Sequence, residues 1–568
     1  MTANLFAARN IERERKLLLL FMLSWFIINC LQAQFLGIDG DEAYYWMLSK
    51  QMGWGFFDHP PLAPFLINIG ESFGHGSLFT RLSTIILSTL TIPFVWGALP
   101  GSLKNIKWFL ILYAATLVFS VYAFITTPDA PLLFFSAVFF YGYSRFLQKE
   151  CLANTLIMAL AVTGMFYSKY HGILPVAFVV LSNLRLLVNK YFWLMVIIVT
   201  ILFLPHLYWQ YQNEWPTLKF HLAERLSKKY RINFTTDYIL GQILIWGPII
   251  SLVFFFKVFG VRIKDKLSRA HLFNFAGVFL FFVFSSFKNT IEPHWTLIGG
   301  VSYLVLFLTI LKNGSDRIKK VFLKMANVNI GLILLARVLF LLPTSPFQLL
   351  KHYSSFFWGK DWAKQVNEKA GGTPVIFTNS YALPALYNYY YPKEITLGYN
   401  TKHYRKTNYS LGTKDCILDN KSVLIFSDKP LSADTSIKVQ SKYRNGFLIP
   451  TNFNCVNALR ITALDPPSKF MPGETKSVVI EIKNTGTISI DATNLKIDYA
   501  FFRAKYDFIN SPSSYNLPNT ILASGYTKRI RIPITAPDES GAYRILFSFV
   551  NGILQGNFAS DFYQVSVE

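Results

Sequence analysis

Charge is what this chain has least of. Only 15% of its 568 residues are Asp, Glu, Lys or Arg, against about 25% in an average soluble protein, which excludes a wholly soluble globular chain. Acid is scarcer than base: 32 Asp and Glu stand against 55 Lys and Arg, a net charge of +23. That excess does not point to nucleic acid. Much of it falls in short loops between apolar runs, where the positive-inside rule places it, and no nucleic-acid motif stands out. Cysteine is nearly missing, at four residues, too few for a disulfide scaffold. Cys30 and Cys151 sit in or at the start of apolar runs and read as small buried hydrophobes. Cys416 and Cys455 lie in the polar tail. They form either a disulfide, if the tail is extracytoplasmic, or two free thiols, because two cysteines alone set no geometry. No internal repeat is evident. No convincing cleavage site follows the first apolar run, so Arg13, Arg15 and Lys16 precede an uncleaved first helix rather than a signal peptide.

Apolar residues are abundant: 52% of the chain is hydrophobic and 17% aromatic, with a mean hydropathy of +0.33. A membrane span needs about 20 apolar residues. About eleven runs qualify or nearly qualify, at 17–36, 79–99, 107–127, 130–147, 152–168, 173–188, 191–209, 238–260, 271–287, 295–311 and 326–343. The fifth and sixth are short, separated only by Ser168-Lys169-Tyr170-His171-Gly172. One set of connections is short and basic, carrying Arg13, Arg15 and Lys16, Lys104 and Lys107, Arg145 and Lys149, Arg185 and Lys190, Arg262 to Arg269, and Lys312 to Lys324. Those loops are expected in the cytoplasm. The opposite set, with the acidic clusters and everything after Pro343, is then extracytoplasmic, which places the chain as a multi-pass protein of the inner (plasma) membrane. In the first outer loop, Asp41 to Met52 reads as an amphipathic helix on the membrane surface.

The expected organisation is a membrane domain over 1–343, an extracytoplasmic α/β domain over 344–457 and an Ig-like β-sandwich over 458–568. The α/β reading rests on a helical stretch, Trp362 to Lys369, and on short strands at 374–377 and 422–426. The sandwich reading rests on period-two runs: Val478/Ile480/Ile482, Leu495/Ile497/Tyr499/Phe501, Ile530/Ile532/Ile534 and Tyr543/Ile545/Phe547/Phe549. Asp538-Glu539-Ser540-Gly541-Ala542-Tyr543 looks like a tyrosine corner.

Chemistry gathers at the outer ends of the spans. Asp39, Asp41 and Glu42 follow the first run, in Gly37-Ile38-Asp39-Gly40-Asp41-Glu42-Ala43-Tyr44-Tyr45-Trp46. Asp58-His59-Pro60-Pro61-Leu62 comes later in that loop, and Thr127-Pro128-Asp129-Ala130-Pro131-Leu132 opens another span. A lone acid at a helix end is ordinarily a solvated cap. Several of them at the mouths of greasy helices, where a carboxylate is costly, suit a membrane enzyme collecting acid/base groups.

These segments resemble a family. Asp41-Glu42, His59-Pro60-Pro61-Leu62, Arg81-Leu82 and Asp129-Ala130-Pro131-Leu132 are similar to motifs of polytopic glycosyltransferases of the protein O-mannosyltransferase type, glycosyltransferase family 39-like proteins with the GT-C fold. Their bacterial branch includes the lipid A aminoarabinose transferase. Lys169-Tyr170-His171-Gly172 and Glu292-Pro293-His294-Trp295 also look like family segments, and the resemblance covers about residues 10–343. It implies a GT-C-fold α-helical membrane protein of about eleven spans. It also implies transfer of a sugar, with inversion, from a polyprenyl-phosphate donor to an extracytoplasmic lipid, glycan or protein hydroxyl.

The acceptor must lose a proton as it attacks the anomeric carbon, so a nearby carboxylate serves as general base. Asp41 matches the family's catalytic acid, Asp129 its second acid, and Glu42 adjoins the first. Candidates for binding the substrate or the leaving lipid phosphate are Tyr44, His59, Arg81, Lys169, His221, Arg225, Lys288, His294 and Arg337. Arg337 lies inside the last apolar run and is expected either to snorkel outward or to bind. His59 stands where the aminoarabinose branch has Lys, and Tyr44 where it has Arg. Asp58, His59 and His221 have the donor types for a divalent ion such as Mg, Mn or Zn. Two other classes fit less well: a lipid or solute transporter, which would place its charges near the midplane and often show a repeat, and a non-catalytic scaffold with a glycan- or protein-binding sandwich.

Overall fold

The computed structural model describes residues 2–219, 230–261, 263, 265–429, 436–504, 507–511, 514–517 and 521–568, with side chains from residue 11 onward. The helices to the end of the last apolar run are α1 (Thr2–Phe35), α2 (Gly40–Ser49), α3 (Leu62–Glu71), α4 (Ser77–Ala98), α5 (Ile106–Ala115), α6 (Leu117–Val121), α7 (Asp129–Gln148), α8 (Leu152–Ser168), α9 (Ile173–Ser182), α10 (Lys190–Gln212), α11 (Pro216–Lys219), α12 (Ile232–Ile245), α13 (Ile250–Lys257), α14 (Lys266–Ser286), α15 (Gly300–Asn313) and α16 (Asp316–Leu341). All eleven apolar runs are helical, but not all are unbroken spans. Among the described residues, seven helices are long and apolar enough to cross a membrane, or eight if the bent pair α12–α13 is one span. The runs at 107–127, 152–168 and 173–188 form shorter or interrupted helices.

The two breaks share one device. Backbone groups freed inside a membrane must find partners in the protein. Between α12 and α13 the chain turns by 112° at Gly247, whose φ of 108° suits glycine. A Cβ there would sit 2.6 Å from Asn329 Nδ2. Asn329 accepts from Ile249 N at 3.3 Å and donates to the carbonyl of Ala115 at 2.5 Å. One α16 side chain thus satisfies groups at the α12–α13 bend and at the end of α5.

The α2 helix corrects the surface-helix expectation: eight of its ten residues are buried. The reason lies in α3 and α4. The Glu71 carboxylate accepts from Trp46 Nε1, Lys50 Nζ and Thr80 Oγ1, each at 3.0 Å. A single acid so fastens α2 and α4 to the end of α3.

Residues 351–568, with Pro216–Lys219, form a second compact unit. It contains α17 (Ser354–Ala370), β1 (Val375–Thr378), α18 (Ala382–Tyr390), β2 (Thr396–Tyr399), β3 (Lys421–Ser427), β4 (Ile437–Val439) and β5 (Gly446–Phe453). The sheet order is β2-β1-β3-β5-β4, with β1 parallel to both neighbours. Beyond it come β6 (Leu459–Ala463), β7 (Lys469–Phe470), β8 (Thr475–Asn484), β9 (Ile490–Asp491), β10 (Leu495–Ala504), β11 (Asp507–Asn510), β12 (Tyr515–Asn516), β13 (Ile521–Leu522), β14 (Thr527–Thr535), β15 (Gly541–Asn551) and β16 (Tyr563–Val567). The main sheets are β11-β10-β15-β16-β7 and β14-β8-β6. The period-two residues of β8, β10 and β15 named above are buried, as are Ile532 and Ile534 of β14. Tyr543 OH donates to the Glu539 carbonyl at 2.9 Å, closing the tyrosine corner.

Polar bonds join the α/β sheet to the sandwich. Lys402 Nζ reaches Asp498 Oδ2 at 2.5 Å, and Asn551 Nδ2 donates to the Asn454 carbonyl at 2.6 Å; just before the sandwich, the N–H groups of Val456 and Asn457 donate to Asp415 Oδ2 at 2.9 Å each. Cys416 and Cys455 are disulfide-bonded, which resolves the two alternatives open in the sequence.

Candidate active site

Asp39 caps α2: its carboxylate accepts from Asp41 N at 2.9 Å. Asp41 and Glu42 therefore occupy the first turn, where the helix dipole favours negative charge. Their surroundings differ sharply. Asp41 is exposed, whereas Glu42 is wholly buried. Arg81, also wholly buried, donates to Glu42 through Nε at 2.9 Å and Nη2 at 2.5 Å. Its remaining donors reach the carbonyls of Ala33 (3.1 Å), Leu36 (2.8 Å) and Gly37 (2.7 Å) at the end of α1. Glu42 Oε1 accepts in addition from Thr126 N at 2.9 Å.

The structure therefore places Glu42, expected as a catalytic group, and Arg81, expected to bind substrate, in one buried knot. Their bonding capacity is turned inward, beside two neighbours. One neighbour is Asp41; another is the segment after Thr126, which leads to Asp129 three residues later. Tyr44 belongs with them, since its hydroxyl donates to Asp58 Oδ2 at 2.8 Å in a buried contact.

The second acid lies at the start of α7, where three distant segments meet. Asp129 is 5% exposed. Lys169, at the end of α8, donates to its Oδ1 at 2.9 Å and Oδ2 at 3.1 Å. His294 Nε2, before α15, is 3.8 Å from Oδ2. Lys169 also lies over the Trp295 ring at 5.4 Å, His171 packs on Trp295 at 5.3 Å, and Tyr122 packs on His294 at 5.6 Å. The structure brings Asp129, Lys169 and His294 together as one carboxylate with two nitrogen side chains.

Other candidates lie apart from that cluster. His59 is half-buried beside Tyr45, with ring centroids 5.8 Å apart. Lys288 is exposed just past α14. Arg337 is held inside the membrane domain. His221 and Arg225 fall outside the described residues. Of the trio expected to hold a divalent ion, Asp58 accepts from Tyr44 and adjoins His59, and His221 lies outside the described residues. Among the described residues, only Asp415, Cys416 and Cys455 group as three ligand atoms, and both sulfurs are joined to each other.

Sequence reasoning missed Glu71, Thr126, Tyr122 and His206. The His206 ring contacts the Trp54 carbonyl at 2.7 Å and Tyr170 OH at 2.8 Å, tying the first outer loop to α10 and to the Lys169 segment. Its one sequence signal was a histidine inside an apolar run.

Fold and site together define a polytopic helical membrane protein with the GT-C fold, carrying acids and cations at one set of helix ends. The comparisons agree. Residues 58–209 match the family model described as dolichyl-phosphate-mannose-protein mannosyltransferase. The lipid A galacturonosyltransferase RgtD of Rhizobium johnstonii is 22% identical over 236 residues, 39% of this chain and 48% of that protein. The lipopolysaccharide core galacturonosyltransferase RgtB of the same organism is 28% identical over 290 residues, 45% of this chain and 57% of that protein. The chain thus spans about half the length of the curated relatives it matches. The structures of ArnT from Cupriavidus metallidurans, apo and bound to undecaprenyl phosphate, superpose with TM-scores of 0.56 and 0.53. Each is 15% identical and covers 76% of this chain and 97% of ArnT. The resemblance read from the motifs holds, and the fold is shared with ArnT.

Proposed function

We propose that this chain transfers a sugar from a polyprenyl-phosphate donor to an extracytoplasmic acceptor hydroxyl with inversion, using Asp41 as general base. The observation that carries the reading is the contrast in the first turn of α2: an exposed carboxylate held beside a buried, fully engaged one. The acceptor oxygen attacks the anomeric carbon and passes its proton to Asp41. The bond from that carbon to the phosphate oxygen breaks on the opposite face, and its electron pair leaves with the lipid phosphate. Cations stabilise that developing charge. Lys169 and His294, held on Asp129, supply them, and Asp129 acts by positioning rather than as a second base. The galacturonosyltransferase relatives and the undecaprenyl phosphate bound by ArnT support a lipid-linked donor and a lipid or lipid-linked glycan acceptor.

The orientation belongs to the same proposal. A disulfide persists in oxidising compartments and is rare in the cytosol, so the Cys416–Cys455 bridge supports an extracytoplasmic tail. The test is sugar transfer by purified protein from a panel of polyprenyl-phosphate sugars. Asp41→Asn is expected to lower the rate about 10²–10⁴-fold, the usual worth of a general base, while leaving donor binding intact. Equal turnover by both proteins would remove Asp41 from the chemistry.

A further inference from the structure

The Cys416–Cys455 bridge has two unequal ends. Cys416 is half-buried in the turn Lys414–Leu418, where Lys414 and Ile417 are exposed. Cys455 is wholly buried. A thiolate arriving from outside reaches one sulfur and not the other, and access decides which sulfur is attacked.

Behind the bridge lies a carboxylate whose two oxygens are served unequally. Asp415 is 1% exposed. Its Oδ2 accepts from the N–H groups of Val456 and Asn457. Its Oδ1 lies 3.5 Å from Cys455 Sγ and 3.9 Å from Cys416 Sγ. Those sulfurs are bonded to each other, so neither carries a hydrogen. Burying an acceptor against groups that cannot donate is costly. Reduction changes this, because the thiol formed at Cys455 brings an S–H within reach of Oδ1. The carboxylate thus favours the reduced form, the opposite of what a purely structural disulfide needs.

Other bonds hold the two segments together. Cys455 N donates to Asp419 Oδ1 at 2.7 Å and Asn457 Nδ2 to the Tyr409 carbonyl at 2.9 Å, beside the two N–H groups on Asp415 Oδ2. They keep the turn against residues 455–457 when the S–S bond opens. The two thiols then stay apposed and the bridge can re-form.

We propose that Cys416–Cys455 is an exchangeable disulfide, opened through Cys416 by a dithiol, with Asp415 Oδ1 accepting the S–H that forms on Cys455. One thiolate of the dithiol attacks Cys416 Sγ and forms a mixed disulfide. The Cys416–Cys455 bond breaks, and its electron pair leaves on Cys455 Sγ, which is protonated. The second thiol of the dithiol then attacks the reagent's own sulfur in the mixed disulfide and releases Cys416. The dithiol is oxidised to its disulfide and the bridge reduced to two thiols; the two protons lost by one equal the two gained by the other. Exchange at this bridge is independent of the transferase reading.

The experiment uses the full purified chain, folded in detergent, in glutathione redox buffers. Alkylation stops the exchange, and peptide masses report the state of each cysteine. Wild type is expected to be reduced by glutathione while still folded by thermal unfolding, with the mixed disulfide on Cys416; structural bridges resist that pool. Asp415→Asn turns an amide N–H toward the sulfurs. It is expected to lower the equilibrium constant for reduction about 10–100-fold, the worth of a hydrogen bond to a charged group, or about 30–60 mV. Dithiothreitol and reduced thioredoxin, at equal concentration, complete the reduction; opening by either supports the exchange, and the faster one identifies a small-molecule or a protein source of the dithiol. A bridge that opens only in denaturant, or glutathione attached to Cys455 rather than Cys416, overturns the proposal, and both are read on wild type whether or not the variant folds. An Asp415→Asn constant equal to that of wild type overturns it as well.

Discussion

Asp41 and Glu42 are chemically alike and adjacent, yet the fold gives them opposite surroundings. Neighbours on a helix point about 100° apart, so one can face the mouth while the next enters the knot with Arg81. That division was not legible in the sequence, where both read as catalytic; it depends on Arg81 arriving from 39 residues away. Removing one partner of a buried ion pair leaves the other uncompensated, at about 3–5 kcal/mol. Glu42→Ala is therefore expected to lower the unfolding midpoint of the purified chain markedly, and Asp41→Asn, at an exposed position, to leave it nearly unchanged. Thermal unfolding in detergent compares the two directly. Equal melting of Glu42→Ala and wild type would mean that the knot does not hold the mouth together.

Elements were more legible than residues. Hydropathy located all eleven apolar runs because length and apolarity are local properties. It could not find the break after Ala115 or the bend at Gly247, since both depend on Asn329 from another helix. It also misjudged α2, because an apolar face looks the same whether it meets lipid or protein. In the tail, period-two alternation found the inward faces of the sandwich. It missed that Ala500, Phe502 and Leu546 on the opposite face are covered by Phe508, Phe558 and Phe562.

The 3-10 turn Lys414–Leu418 shows an effect that only the folded tail creates. Burial pushes the Asp415 carboxyl up from its usual value to about 6, against the lowering effect of the Asn457 and Val456 N–H groups. An acid whose value is raised on folding stabilises the fold fully below its unfolded value and loses that contribution as pH rises through the folded one. The window is therefore from about 4 to about 6. Across it the second unit is expected to lose stability relative to Asp415→Asn, by at most about 3 kcal/mol. Hydrogen exchange of 375–427 in the full chain, followed against pH for both proteins, measures the difference. A gap that stays constant from pH 4 to 7 would contradict the raised value.

At the scale of the whole molecule, charge and redox chemistry point the same way. The α7 helix starts at Asp129 and ends at Gln148, just before Lys149; its 20 residues span about 30 Å, the thickness of a bilayer's hydrocarbon core. Lys149 then marks the basic side, and Lys288, just past α14, the acidic side with Asp129. The basic loops predict that Lys149 faces the cytoplasm, and the Cys416–Cys455 bridge predicts that the tail does not. Single cysteines placed by Lys149→Cys and Lys288→Cys, with Cys30 and Cys151 replaced by Ser, separate the two faces in intact cells. A membrane-impermeant thiol reagent is expected to label position 288 directly and position 149 only after permeabilisation. Cys416 and Cys455 are expected to resist the same reagent until reduced. Labelling of position 149 in intact cells would invert the molecule, place Asp41 in the cytoplasm and make an extracytoplasmic acceptor impossible.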